Sequence, residues 1–197
     1  TEMPQVGRSK AEAWLALEKA TAGLELVDDV PVVVTPLTDG AVGVAGRRDA
    51  ALPVAYSLVM QAASLHSPAE LVVTSFASAA SAPSWDFLKW LPHVASAQSP
   101  IGAQHLAATG PACTALADQL DEVVASRSSR DAAPWSTTVL VIIEGDAPID
   151  RSRLVDIAER GVGRGVAVLW IAEGQPRLPA VCTSYVIVEE GATVGYV

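Results

Sequence analysis

The chain has 197 residues, half of them apolar, and carries 13 Lys plus Arg against 22 Asp plus Glu, a formal net charge of −9. That length suits one α/β-sized core, and the acidic balance argues against a nucleic-acid partner, whose binding needs clustered cations to displace counterions. No apolar run reaches the roughly 20 residues that cross a bilayer, the opening TEMPQVGRSK lacks signal-peptide pattern, and two cysteines, Cys113 and Cys182, are too few for a disulfide scaffold.

Ser9-Lys10-Ala11-Glu12 is a capping-box pattern, in which hydroxyl and carboxylate satisfy each other's backbone donors at a helix start. It predicts a helix over 10–22, with Trp14, Leu17, Thr21 and Leu24 on one stripe and Gly23 closing it. Val30 to Thr35 is β-branched and bounded by Pro31 and Pro36, so it is expected as a strand that Pro31 can only begin or edge.

The chain is then organised around Gly40 to Pro68, GAVGVAGRRDAALPVAYSLVMQAASLHSP, which predicts a short apolar strand over 41–45, a glycine-bearing turn and a long helix. Its outline is that of a phosphate-binding loop. A working loop has the pattern G-x-x-x-x-G-K-[ST], because glycine amides cradle the phosphates, the Lys reaches their outer oxygens and the hydroxyl ligates Mg²⁺. Here Gly43 and Gly46 are followed by Arg47, Arg48 and Asp49, so both the Lys and the hydroxyl are missing. Pro53 fits the first turn of a helix, which places the expected helix start near Leu52 and makes the loop longer than a tight phosphate loop.

Ser67-Pro68 stops that helix, and Leu71 to Phe76 is a buried-type strand. Residues 78–84 are expected as a small-residue linker, followed by about two helical turns in WDFLKWLP, Trp85 to Pro92. Its two tryptophans fit a plug in the domain's own core or, alternatively, an exposed anchor for a partner. A short strand at 105–107, a helix opening at Thr109-Gly-Pro111 and a polar loop over 126–134 come next.

Val139 to Ile143 is the most strand-like segment, five aliphatics ending in Glu144-Gly145-Asp146. In nucleotide hydrolases, acids at the end of such a strand hold Mg²⁺ and polarise water; here Glu144 and Asp146 are displaced from that spacing. Asp150 caps a helix whose polar side carries Arg151, Arg153, Arg160 and Arg164, either solvated charge or a subunit-contact face. Strands at 166–172 and 184–189 and a terminal hairpin over 193–197 complete the chain. His66, His93 and His105 lack ligand spacing, so no metal site is expected. The alternation predicts an α/β three-layer sandwich with a mostly parallel sheet.

Three stretches taken together carry a resemblance: SLVMQAASLHSPAEL (57–71), WDFLKWLPH (85–93), and VLVIIEGD with the downstream GVAVLWIAEG (165–174). They resemble the membrane-proximal ATPase-like domain of EccC, the FtsK/SpoIIIE-type motor of actinobacterial type VII (ESX) secretion, over roughly residues 11–191. His66 and Pro68 of the L-H-S-P turn, and Trp85, Lys89, Trp90, Pro92 and His93 of the tryptophan run, are its signature positions. The resemblance implies one ATPase-like domain (lead-in 9–23, core 30–191) cut from a longer polypeptide that is anchored at the cytoplasmic face of the membrane by helices absent here. It implies no catalysis and no cofactor in this domain, with ATP and Mg²⁺ acting in downstream modules. The implied partners are the parent's other domains and ESX membrane subunits, within a hexameric assembly. An alternative keeps nucleotide binding, with Arg47 or Arg48 replacing the Lys and Glu144 or Asp146 handling metal.

Overall fold

The computed structural model describes residues 13–15, 19, 33–36, 40–127, 137–189 and 192–196. Contacts divide the chain into two units, 1–33 and 34–197. In the first, residues 13–15 and 19 are helical, and the rest of the helix expected over 10–22 lies outside the described residues. Residues 33–35 are not strand, and 30–32 lie outside the described residues. A run bracketed by two prolines offers few amide donors for a ladder, so β-branched composition alone misleads there.

The second unit is built on a seven-stranded sheet: β1 (Val42–Gly46), β2 (Leu71–Phe76), β3 (Leu106–Ala107), β4 (Thr138–Glu144), β5 (Val166–Ala172), β6 (Ser184–Glu189) and β7 (Ala192–Tyr196). Their spatial order is β3-β2-β4-β5-β1-β6-β7. Every neighbouring pair is parallel except β6–β7, the expected terminal hairpin. The central strands are nearly continuous aliphatic runs because both faces are covered. Val139, Val141 and Ile143 of β4 face one apolar cluster, together with Leu116, Leu120, Leu154 and Ile157 of helices α2 (Gly110–Ser126) and α3 (Arg151–Gly161). The alternate residues Leu140 and Ile142 face a second cluster, with Val59 of helix α1 (Arg48–Leu65) and with Trp85 and Leu88. This is the expected three-layer α/β sandwich. Among the described residues, no helix is long and apolar enough to cross a membrane.

The junction of β1 and α1 departs from expectation. Gly43 and Gly46 belong to the strand, α1 begins at Arg48, and the connection is the single residue Arg47. The long loop expected from Pro53 is therefore absent. Pro53 sits in the second turn of α1 on its exposed side, where water can serve the carbonyl that loses an amide partner. The buried stripe Ala51, Ala55, Val59 runs along the opposite side and brings α1 close to the sheet. The tryptophan run is 3₁₀ rather than α-helical and starts earlier, at Ala82–Trp90. Three residues per turn eclipse Trp85 and Leu88, so both point into the core.

Both glycines of the expected phosphate loop are explained by packing. A Cβ on Gly43 would lie 2.6 Å from Leu178 Cδ1 and 3.1 Å from Tyr185 Cβ. On Gly46, whose φ is 153°, it would lie 2.4 Å from the Val188 carbonyl oxygen of β6. Gly46→Ala is therefore expected to lower the unfolding free energy by about 3 kcal/mol in urea titration. Gly163→Ala, with φ of 69° but open space around it, should lose only about 1 kcal/mol. Equal losses would show that backbone conformation, and not the approach of β1 to β6, sets the requirement.

Candidate functional site

In open parallel sheets ligands collect beyond the carboxyl ends of the strands. There the ends of β1, β4 and β5 open onto a cavity of about 300 Å³, lined among others by Gly46, Arg48, Ser81, Glu144, Asp146, Arg151 and Arg177. The sheet order places β5 between β1 and β4, so Arg48, at the first position of α1, can reach across to the last residue of β4.

Glu144 is only 3% exposed. An unpaired carboxylate at such a depth would be strongly unfavourable, so its partners decide what the site can do. Arg48 donates to both of its oxygens, Nη1 to Oε2 at 2.8 Å and Nη2 to Oε1 at 3.0 Å, a two-pronged guanidinium–carboxylate pair. Trp85 Nε1 donates to Oε1 at 2.6 Å. The Arg48 side chain, 39% exposed, is further fixed by Ser84 Oγ at 3.0 Å. Hydrogen bonding to Glu144 holds the guanidinium more firmly protonated than usual. Trp85 is locked in turn by Tyr56, whose ring meets it edge-on at 5.2 Å and whose hydroxyl donates to the Ser84 carbonyl at 2.8 Å. Both oxygens of Glu144 are thus engaged by this chain's own cation and indole.

Asp146 is held differently. Ser78 Oγ donates to Oδ2 and Ser81 Oγ to Oδ1, each at 2.7 Å. Partial burial pushes its pKa up, but the two hydroxyl bonds, with the nearby Arg48 charge, outweigh burial and leave it below the usual aspartate value. Residues 78–84, expected as a linker, are therefore a polar arm of the site. The signal present in the sequence was the three-residue spacing of Ser78, Ser81 and Ser84, which a turn leading into a 3₁₀ helix places near one edge.

The other singled-out positions are dispersed. Arg47 and Asp49 pair with each other on the exposed surface, Nε to Oδ1 at 3.1 Å, and do not line the cavity. Of the signature residues Trp85 meets the site, through its bond to Glu144, and the others do not line the cavity. His93 Nε2 bonds the His66 carbonyl oxygen at 2.9 Å, and Ser96 Oγ donates to the Pro68 carbonyl at 2.6 Å, so the L-H-S-P turn and the end of the tryptophan run form one joint. Trp85 is buried, whereas Trp90 is 81% exposed; Lys89 lies 5.8 Å from the Trp90 ring centroid and 3.5 Å from Asp86. The two expectations for the run therefore divide between its tryptophans: Trp85 is the core plug and Trp90 the surface residue. Arg153 bonds Asp118 and Asp121, and Arg160 bonds Asp121 and Asp156, so these arginines tie α3 to α2 and to itself. Among the described residues no cluster of three or more His, Cys, Asp or Glu is placed to hold a metal ion.

No family model matches the chain. Two curated relatives do. The ESX-4 secretion system protein EccC4 of Mycobacterium tuberculosis is 26% identical over 176 residues, which is 89% of this chain and 12% of that protein. The ESX secretion system protein EccC of Thermomonospora curvata is 32% identical over 78 residues, 40% of this chain and 6% of that protein. The chain thus spans a small fraction of the relatives it matches. Among solved structures, ATPases 2 and 3 of Geobacillus thermodenitrificans EssC align at TM-score 0.52 and 15% identity, covering 77% of this chain and 32% of that one. The cytoplasmic domain of the T. curvata type VII secretion ATPase EccC aligns at 0.52 and 14%, covering 85% and 22%. The resemblance to EccC holds: the chain is similar to EccC-type ATPase-like domains in sequence, and its fold is that of EccC and EssC ATPase domains.

Removing Arg48 leaves Glu144 buried without its cation. Arg48→Ala should lose about 3 kcal/mol in chemical denaturation, and the apolar pair R48M/E144L should recover at least half of that loss. Asp146 sets a pH dependence. Its folded pKa lies below its unfolded value of about 4, so its bonds stabilise the fold above that pH and are lost as pH falls through the folded pKa. Asp146→Asn should lower stability by about 1–2 kcal/mol at neutral pH, and the gap to the parent should close as denaturation is repeated at progressively lower pH below about 4.

Proposed function

We propose that this domain is a non-catalytic, ATPase-like block of a type VII (ESX) secretion motor, coupling the membrane-embedded pore complex to ATPase modules further along the same polypeptide. The observation that carries the proposal is the internal Arg48–Glu144–Trp85 cluster, which fills the metal- and water-handling position of an ATPase site. The one-residue connection from β1 to α1 supports it, because too few consecutive amides are free there to cradle a polyphosphate. Without the phosphate-binding Lys and the Mg²⁺-ligating hydroxyl, most of the electrostatic stabilisation of phosphoryl transfer is missing.

On this proposal the domain sits next to the membrane anchor, on the cytoplasmic face. Its partners are the other domains of the parent and ESX membrane subunits, in a hexameric assembly, and ATP and Mg²⁺ are used by the downstream modules. The similarity to EccC proteins several times longer than this chain, and to a cytoplasmic domain of one of them, supports that placement.

A second proposal, atypical nucleotide binding, is favoured by one feature: a cavity at the carboxyl end of the sheet lined by Arg48, Arg151 and Arg177. Of its two candidate cations, Arg47 faces away and only Arg48 lies in the cavity. The two readings separate in a thermal-shift experiment. With millimolar ATP and Mg²⁺ the melting temperature should not move. A rise of several degrees that disappears in Glu144→Gln would overturn the non-catalytic reading and establish the second.

A further inference from the structure

Helices α1 and α3 both begin at the cavity, and each carries an arginine at its first position, Arg48 and Arg151. A cation there opposes the positive end of the helix dipole, so local electrostatics favour an acid at both places. Departures from local preference that converge on one cavity point to a use for it. For Arg48 the compensation is internal, since Glu144 takes both prongs of its guanidinium.

Arg151 has no such partner. Arg177 is paired with Glu173 at 3.1 Å, and Asp146 is occupied by two serine hydroxyls. Among the described residues, no carboxylate lies within ion-pair distance of Arg151. Its Nη2 donates to the Arg177 carbonyl at 2.6 Å, and its guanidinium carbon lies 5.4 Å from the ring centroid of the buried Trp170. The carbonyl bond and the indole fix the fork in place while leaving other N–H donors for a ligand, the preorganisation that makes arginine a carboxylate receptor.

We infer that this cavity receives the carboxylate of an acidic side chain from a partner protein, with Arg151 as the receiving cation. The inference rests on the latched, non-nucleotide reading of the site. A volume of about 300 Å³ is at the small end of ligand pockets and suits an acidic side chain rather than a nucleoside triphosphate. An acidic side chain needs one guanidinium fork, whereas a polyphosphate needs the amide cradle that the β1–α1 junction lacks.

The test is titration of the isotopically labelled chain with N-acetylglutamate methylamide, following the arginine Nε–H resonances and Trp170 fluorescence, with inorganic phosphate and MgATP as separate arms. Saturable shifts at Arg151 in the millimolar range are expected, as for one charge-assisted contact. They should weaken at least about tenfold in Arg151→Gln and be unchanged in Arg153→Gln, whose parent residue is paired on the α2–α3 surface. Phosphate binding as tight as the carboxylate would overturn the assignment to an acidic side chain, as would carboxylate shifts that persist in Arg151→Gln. No response to the carboxylate or to MgATP would overturn this inference alone. Saturable MgATP binding at the same resonances would overturn both it and the non-catalytic reading.

Discussion

A carboxylate at the end of a fully buried strand must find a cation or hydrogen-bond donors. Glu144 is that carboxylate, and how it is satisfied shapes the carboxyl end of this sheet. Arg48 must start α1 directly after β1 to reach it, Trp85 must turn inward, and Ser84 and Tyr56 must brace both. Removing any one member leaves another with an unmet polar group in a place where water has little access. The 3₁₀ segment and the short β1–α1 junction meet at this one buried charge.

The ATPase-like outline and the polar site at its carboxyl end depend on different residues. The outline comes from aliphatic strands covered on both faces, whose burial is the main stabilising term and is indifferent to what lies at their ends. Nucleotide chemistry would depend on a few residues at the carboxyl end, and there Arg47 and Arg48 follow Gly46 where a phosphate loop has its Lys and hydroxyl. Gly43 and Gly46 are required instead by the close approach of Leu178 and β6. At the far end of α1, His66 and Pro68 are tied through their carbonyls to His93 and Ser96. The helix is therefore fixed at both ends, by an ion pair at one and by a backbone joint at the other.

The same division orders the arginines. Arg153 and Arg160 satisfy acids on α2 and α3 and so stabilise the packing of those helices, within the modest range of surface ion pairs. Arg48 and Arg151 face the cavity instead. Sequence spacing puts all of the α3 arginines on one polar side and cannot separate them, because the distinction depends on which acids the neighbouring helix presents.

Most of the fold was legible in the chain itself. Runs such as LVVTSF and VAVLWIA, short, β-branched and bounded by turn residues, favour buried strands, and Asp150 and Thr109 cap the helices they precede through bonds made within a few residues. The alternation of such elements is enough to specify a layered parallel sheet. Residues 33–35, the position of Pro53 in α1 and the 3₁₀ form of the tryptophan run depart from what their segments predict: the prolines limit amide donors around the first, and the other two depend on contacts beyond their own segment. The site was legible only in part. The missing Lys and hydroxyl are visible in sequence, but the reason for the change is not. Arg48 and Glu144 are 96 residues apart, and nothing local to either says that they meet. Only the order of strands, with β5 between β1 and β4, brings them together, and only their burial makes the pairing obligatory.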